Sequence, residues 1–156
     1  MSSDFYLWPG FLGTRATFGP DLALVLILIS STLFTIGWRL AVHKHYGIHR
    51  WVQTSAALIN TLAVLAIMVG SFLGFVLPTL KAKFGQPVTT ITTVHAVIGS
   101  ITFLFGIFVV LRANKLLVPK AWRFENYKLF MRTAYALYML TTLIGIAVYL
   151  VTYVML

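Results

Sequence analysis

The sequence predicts an all-α integral membrane protein, a four-helix bundle with both termini on the outer side. Three observations predict it. Of 156 residues, 60% are hydrophobic and 10% charged, with a mean hydropathy of +0.92, whereas an ordinary soluble domain carries about 25% charged residues. Four stretches reach the ~20 mostly apolar residues that a membrane helix needs. The twelve Lys and Arg residues cluster beside those stretches, where the positive-inside rule predicts them.

The first span is expected at about residues 21–42, opening after "GPD". Pro20 tolerates a first helical turn and the Asp21 carboxylate can cap free amides. A second span, about 51–78, runs to "VLP", with Pro78 as its stop. "LKAKFGQPVTT" then turns the chain into a third span at about 90–112, and the fourth is expected at about 131–155. The runs are too long, and lack the alternation, to be soluble strands. Residues 1–156 therefore form one membrane domain with no separate soluble module.

Orientation follows from the basic residues. Nine of them (Arg39, Lys44, Arg50, Arg112, Lys115, Lys120, Arg123, Lys128 and Arg132) fall on one side of the proposed membrane, against Arg15, Lys81 and Lys83 on the other. Because Lys and Arg resist translocation, the side with nine is expected in the cytoplasm. Trp38, Trp51, Trp122, Tyr127 and Phe130 stand beside those charges as belt aromatics do. The net charge of +9 is accounted for in this way, without nucleic acid as a partner. The N-terminal "MSSDFYLWPG" lacks the basic region and apolar core of a cleavable signal, so the first span is expected to act as its own signal anchor.

Close helix approach in lipid needs small residues. Gly70 and Gly74 in "GSFLG" form one such step, with Gly99 and Gly106 as a second face. Ser30, Ser31, Thr32, Asn60, Thr61, Ser100, Thr141 and Thr142 are expected to hydrogen-bond their own backbone or a neighbouring helix.

Chemistry is sparse. Without cysteine there are no disulfides, thiolate metal sites or covalently attached haem. The three acids, Asp4, Asp21 and Glu125, are too far apart in sequence to pair for acid–base work. Phosphate loops, a nucleophile elbow and the zinc-protease motif are absent, and no enzyme activity is expected. An ionisable residue within the hydrocarbon is costly and marks function by default, and His95 in "TTVHAVIG" is the one that clearly qualifies. Two readings stand for it: a neutral imidazole bonded to a facing hydroxyl, or a contact to haem, copper, quinone or pigment.

A b-type haem held between His49 and His95 fails on depth. The two begin successive antiparallel helices from opposite faces, ~20–30 Å apart along the membrane normal at 1.5 Å per residue, so one iron cannot bridge them. Met68 is nearer the depth of His95, and a Met–His pair can ligate copper(I) or haem. At the cytoplasmic edge, "HKHYGIHR" (43–50) places His45 and His49 at i and i+4. That spacing suits one exposed metal ion, if helix runs through Gly47. Glu125, Asn126 and Tyr127 are the only candidates for further ligands there. The alternative is a loop of headgroup-facing basic residues.

"PGFLGTRA" (9–16), "YGIHRWVQ" (46–53), "VHAVIGSITFLFGIFVVLRA" (94–113) and the closing "LIGIAVYLVTYV" together resemble the bacterial and archaeal membrane family known as domain of unknown function 420. The resemblance covers nearly the whole chain. It implies four spans in a prokaryotic plasma membrane, and a place among respiratory proteins, one branch being an assembly factor of haem-copper cytochrome c oxidase. His49 and His95 match the family's histidines at the starts of the second and third spans. Family members often carry a further histidine before the fourth span; here "FENYK" has Tyr127 at that place. The expectation is a non-catalytic accessory subunit or assembly factor of an electron-transport complex, with larger membrane subunits and lipid as partners. The competing expectation is a redox protein carrying haem b, copper, quinone or pigment near His95.

Overall fold

The computed structural model describes residues 7–113 and 126–155. Four helices dominate them: α1 (Phe18–Val42), α2 (Tyr46–Lys83), α3 (Pro87–Ala113) and α4 (Tyr127–Leu150), the last prolonged by a π-helical turn at Val151–Met155. All four are long and apolar enough to cross a membrane, the architecture of a multi-pass helical membrane protein.

Each helix begins earlier than hydropathy predicts, because local backbone chemistry and not the membrane edge decides where it starts. Phe18 opens α1 after an extended Thr17, so Pro20 lies within the first turn, where its missing N–H costs nothing. The α1–α2 connection is very short. His45 N–H donates to Leu40 O and Lys44 N–H to Ala41 O, with Lys44 at φ 63°, a Schellman closure in which lysine occupies the left-handed position usually held by glycine. Helix therefore resumes at Tyr46, five residues before the predicted edge, and includes Gly47. Pro87 opens α3 in the same manner as Pro20.

Pro78 does not end α2. It enters a 3-10 turn at Leu77–Thr79, where a proline near the first position loses no hydrogen bond, and a last turn continues to Lys83. Upstream, α2 widens into π-helical turns at Ala63–Met68 and Phe72–Val76. Gly85, at φ 87°, then supplies the reversal into α3.

Buried positions are mostly small or polar: Ala23, Ser30, Ala56, Ala63, Thr102 and Thr142 lie inside, while Leu58, Leu62, Leu104 and Leu143 are exposed. That inversion suits a lipid solvent, which is as apolar as leucine and offers no reason to hide it. α1 packs against α2 on one side and α4 on the other, and α3 packs against α4. α2 and α3 meet at few places.

Three of the four glycines that spacing suggested leave room for a side chain. A Cβ on Gly74 or Gly106 would meet nothing within 4 Å, and one on Gly99 would make ordinary contact with Thr141 at 3.5 Å. Gly37 and Gly145 are close positions within spans: a Cβ would meet Gln53 Nε2 at 2.7 Å and His95 Cε1 at 2.9 Å, respectively. Spacing within one helix does not say which face the next helix will cover. The hydroxyl expectation holds for most of the residues named, although the buried Ser30 Oγ has no hydrogen-bond partner among the described residues. Ser31 and Thr32 both donate to Leu28 O, Thr61 to Ala57 O, Ser100 to Ala96 O and Thr141 to Leu137 O.

Candidate functional site

Three places carry chemistry, at three depths of the bundle. At the end holding both termini, residues 7–17 fold back over α1 and α4. Pro9 bridges Thr17, and Phe18 N–H donates to Trp8 O. Asp21 organises this loop. Its carboxylate is fully buried and accepts from Phe11 N–H at 2.7 Å, Leu12 N–H at 2.8 Å and Tyr149 Oη–H at 2.5 Å. Since the Tyr149 proton goes to Asp21, the Thr14 hydroxyl 2.7 Å away donates to Tyr149, and Thr14 in turn accepts from Ala16 N–H. Gly10 is required beside it, because a Cβ there would run into Ala16 O and lie 2.7 Å from Asp21 Oδ2.

Asp21 thus corrects the sequence reading twice. It caps the amides of the preceding loop and not those of α1. It is also an ionisable side chain buried within a span, as is Arg112, so His95 does not stand alone. Charge and backbone amides in one place offset the cost of burial.

Between the two ends, and reaching toward both, α2 and α3 diverge and leave a cavity of about 1780 Å³ lined by all four helices, larger than the roughly 300–1,000 Å³ typical of drug-sized ligand sites. It opens sideways between α2 and α3, since exposed Leu58 and Leu65 of α2 and exposed Ile101 and Leu104 of α3 stand on its rim. His95, Met68 and His49 all line it. Tyr138 Oη reaches across, 3.3 Å from Asn60 Oδ1 and 3.5 Å from Ile27 O.

His95 stands eight residues into α3, with its Cε1–Nε2 edge over Gly145 of α4 and near Ile27 of α1. Its Nδ1 is occluded and has no hydrogen-bond partner. The expected facing hydroxyl is therefore not there. A buried N–H without an acceptor is rarer and costlier than an acceptor without a donor, which assigns the proton to Nε2 and makes His95 a neutral donor.

At the other end, His49 Nδ1 donates to Gly37 O at 2.7 Å, tying α2 to α1. His43 Nδ1 lies 2.9 Å from Arg39 O. His45 is exposed, just before α2, and its carbonyl accepts from His49 N–H. Helix does run through Gly47, so His45 and His49 stand one turn apart, with His49 Nε2 as the nitrogen left over. Glu125 and the Tyr127 side chain, named above as further ligands, lie outside the described residues. Among the described residues no group of three or more His, Cys, Asp or Glu is placed to hold a metal.

Sequence reasoning missed the Asp21–Tyr149–Thr14 cluster and the Gly145 seat for His95. Two glycines within "PGFLGTRA" signalled a tight loop, but its anchor on α4 had no local signal. No family model, no curated protein and no solved structure matches this chain.

Proposed function

We propose that this chain is a small non-catalytic membrane protein that serves an electron-transport complex as accessory subunit or assembly factor and keeps an apolar, carbonyl-bearing ligand of quinone type against His95. One observation carries the ligand: a single neutral imidazole that donates through Nε2, its Nδ1 being occluded and without a protein partner, on the wall of a wide apolar cavity that opens toward lipid. A quinone reaches such a place by lateral diffusion and needs one N–H donor and flat apolar walls. The place in a complex draws on the resemblance to domain of unknown function 420. On the same reading the chain lies in a prokaryotic plasma membrane, the basic end toward the cytoplasm and both termini outside.

Haem and copper fit these residues less well. A histidine that ligates a metal through Nε2 usually donates Nδ1–H to a carbonyl or carboxylate that fixes the ring, and His95 Nδ1 has no acceptor. Met68 lines the same cavity, but a thioether and one unsupported imidazole make a thin ligand set. For the pair at the cytoplasmic end, His49 has its second-shell carbonyl in Gly37 and lacks further ligands among the described residues.

The test is purification in mild detergent with three readouts: absorption spectrum, metal content, and the ultraviolet spectrum of an organic extract, alongside identification of co-purifying subunits. A quinone-type extract that disappears in His95→Leu, together with membrane subunits of an electron-transport complex, is the expected result. A Soret band or stoichiometric copper lost in His95→Ala would replace it with the redox-metal reading. A lone chain with neither partner nor extract would end both.

A further inference from the structure

The cavity has chemically unlike ends. On α1 its lining runs from Pro20 to Val42, about 33 Å at 1.5 Å per residue, comparable to the ~30 Å hydrocarbon thickness of a bilayer. At the end shared with the termini its wall includes Tyr149, Thr152 and Tyr153, all uncharged. Lys44, Arg50, Lys128 and Arg132 line the opposite mouth, beside His49 and Tyr135. All four cations are exposed. They come from the α1–α2 turn and the first two turns of α2 and of α4, so they reach the mouth from two sides. Lys81 and Lys83, which belong to the other end, do not line the cavity. Asp21, the only acid among the described residues, also lies at that other end.

Topology alone asks for basic residues on this side of the membrane. It does not ask four of them to line the mouth of a lipid-open cavity. A molecule that meets both surfaces is anionic at one end and long and apolar at the other. From this geometry we infer a structural binding site for an anionic phospholipid. Its phosphate sits among Lys44, Arg50, Lys128 and Arg132, and its acyl chains lie in the cavity between α2 and α3. Basic pockets between membrane helices hold lipid headgroups by this combination of charge and trapped chains. The site is distinct from His95, which belongs to the far half of the cavity, and the inference stands whether or not a quinone binds there.

The experiment is native mass spectrometry of the full chain, delipidated and then given phosphatidylglycerol, phosphatidylcholine or inorganic phosphate in turn. Retention of phosphatidylglycerol in preference to phosphatidylcholine is expected, with no adduct from phosphate alone. The double variant Arg50→Gln/Arg132→Gln leaves seven of the nine basic residues on that side, so orientation is kept. Each cation is worth about fivefold in lipid affinity, and the pair should cost about 25-fold, whereas Lys81→Gln/Lys83→Gln should change retention less than twofold. Gly106→Leu keeps every charge and fills space, since Gly106 lines the cavity and a Cβ there meets nothing within 4 Å. It should also weaken retention. Equal retention of both lipids, indifference to Arg50→Gln/Arg132→Gln, or phosphate bound as tightly as lipid would each overturn the site. Indifference to Gly106→Leu would overturn its acyl half.

Discussion

The two flanks of α4 and α2 make an instructive contrast. Where α1 meets α4, polar groups are joined across the interface: Tyr149 to Asp21, Thr14 to Tyr149, Tyr135 to Thr35 at 3.0 Å, with Trp38 stacked on Tyr135 and Phe34 edge-on to Tyr138. Where α2 faces α3, leucines and valines face one another across open space. In water the second flank would close, since apolar surfaces collapse together. In lipid it has no reason to, because the solvent is itself apolar and only close packing or hydrogen bonds favour helix over lipid. The difference teaches that in this protein polar residues hold the frame and apolar residues leave the vacancy.

Removing an anchor from the joined flank is the strongest way to break that contrast. Asp21→Ala leaves two loop amides and the Tyr149 hydroxyl without an acceptor. A loss of about 2–3 kcal/mol is expected, read as a lower unfolding midpoint in detergent and early proteolysis within residues 7–17. Tyr149→Phe removes one of the three bonds and should cost about half as much. If Asp21→Ala is as stable as the parent, the loop is not what fastens the termini.

Next in size is Gly145→Val, which forces a branched side chain into the His95 ring and should cost about 2 kcal/mol. His95→Ala in the same chain should recover most of it, because the ring that was struck is gone. Additive losses in that double-mutant cycle would mean that the two residues do not share one space.

A smaller effect, about 1 kcal/mol, is expected for His49→Ala, which deletes the bond to Gly37 O within an otherwise well-packed α1–α2 contact. Its measurement is the same unfolding midpoint, with His45→Ala as the silent control. Smallest of all is Gly106→Leu, which enters open space and should shift stability by less than about 0.5 kcal/mol. A large loss there would show that the open flank closes in solution.

Much of the frame was legible in the sequence. Four apolar runs separated by basic or turn-forming segments gave the four helices, because the need to span hydrocarbon overrides finer local preferences. The helix ends were less legible. They depended on a lysine taking a left-handed turn and on Pro78 being absorbed into a 3-10 turn, both decided by a few hydrogen bonds.

His95 stood out from sequence because an imidazole in hydrocarbon is rare. Its setting did not, since the Gly145 seat is a matter of register between α3 and α4 that neither helix encodes alone. Asp21 was misread for a related reason. A carboxylate at a helix start has a ready local role, and its real partner Tyr149 is 128 residues away. Four of the nine basic residues became informative only when the fold placed them at one mouth.

The bond from Asp21 to Tyr149 also sets an order of events during synthesis. At 5–20 residues per second, α4 follows the Asp21 loop by on the order of 10 s. Through that interval the buried carboxylate has its loop amides but not its phenol. The latch can therefore close only after α4 has entered the membrane beside α1, which makes residues 7–17 a built-in reporter of completed insertion. A nascent chain arrested before α4 should expose those residues to protease, and release of the full chain should protect them.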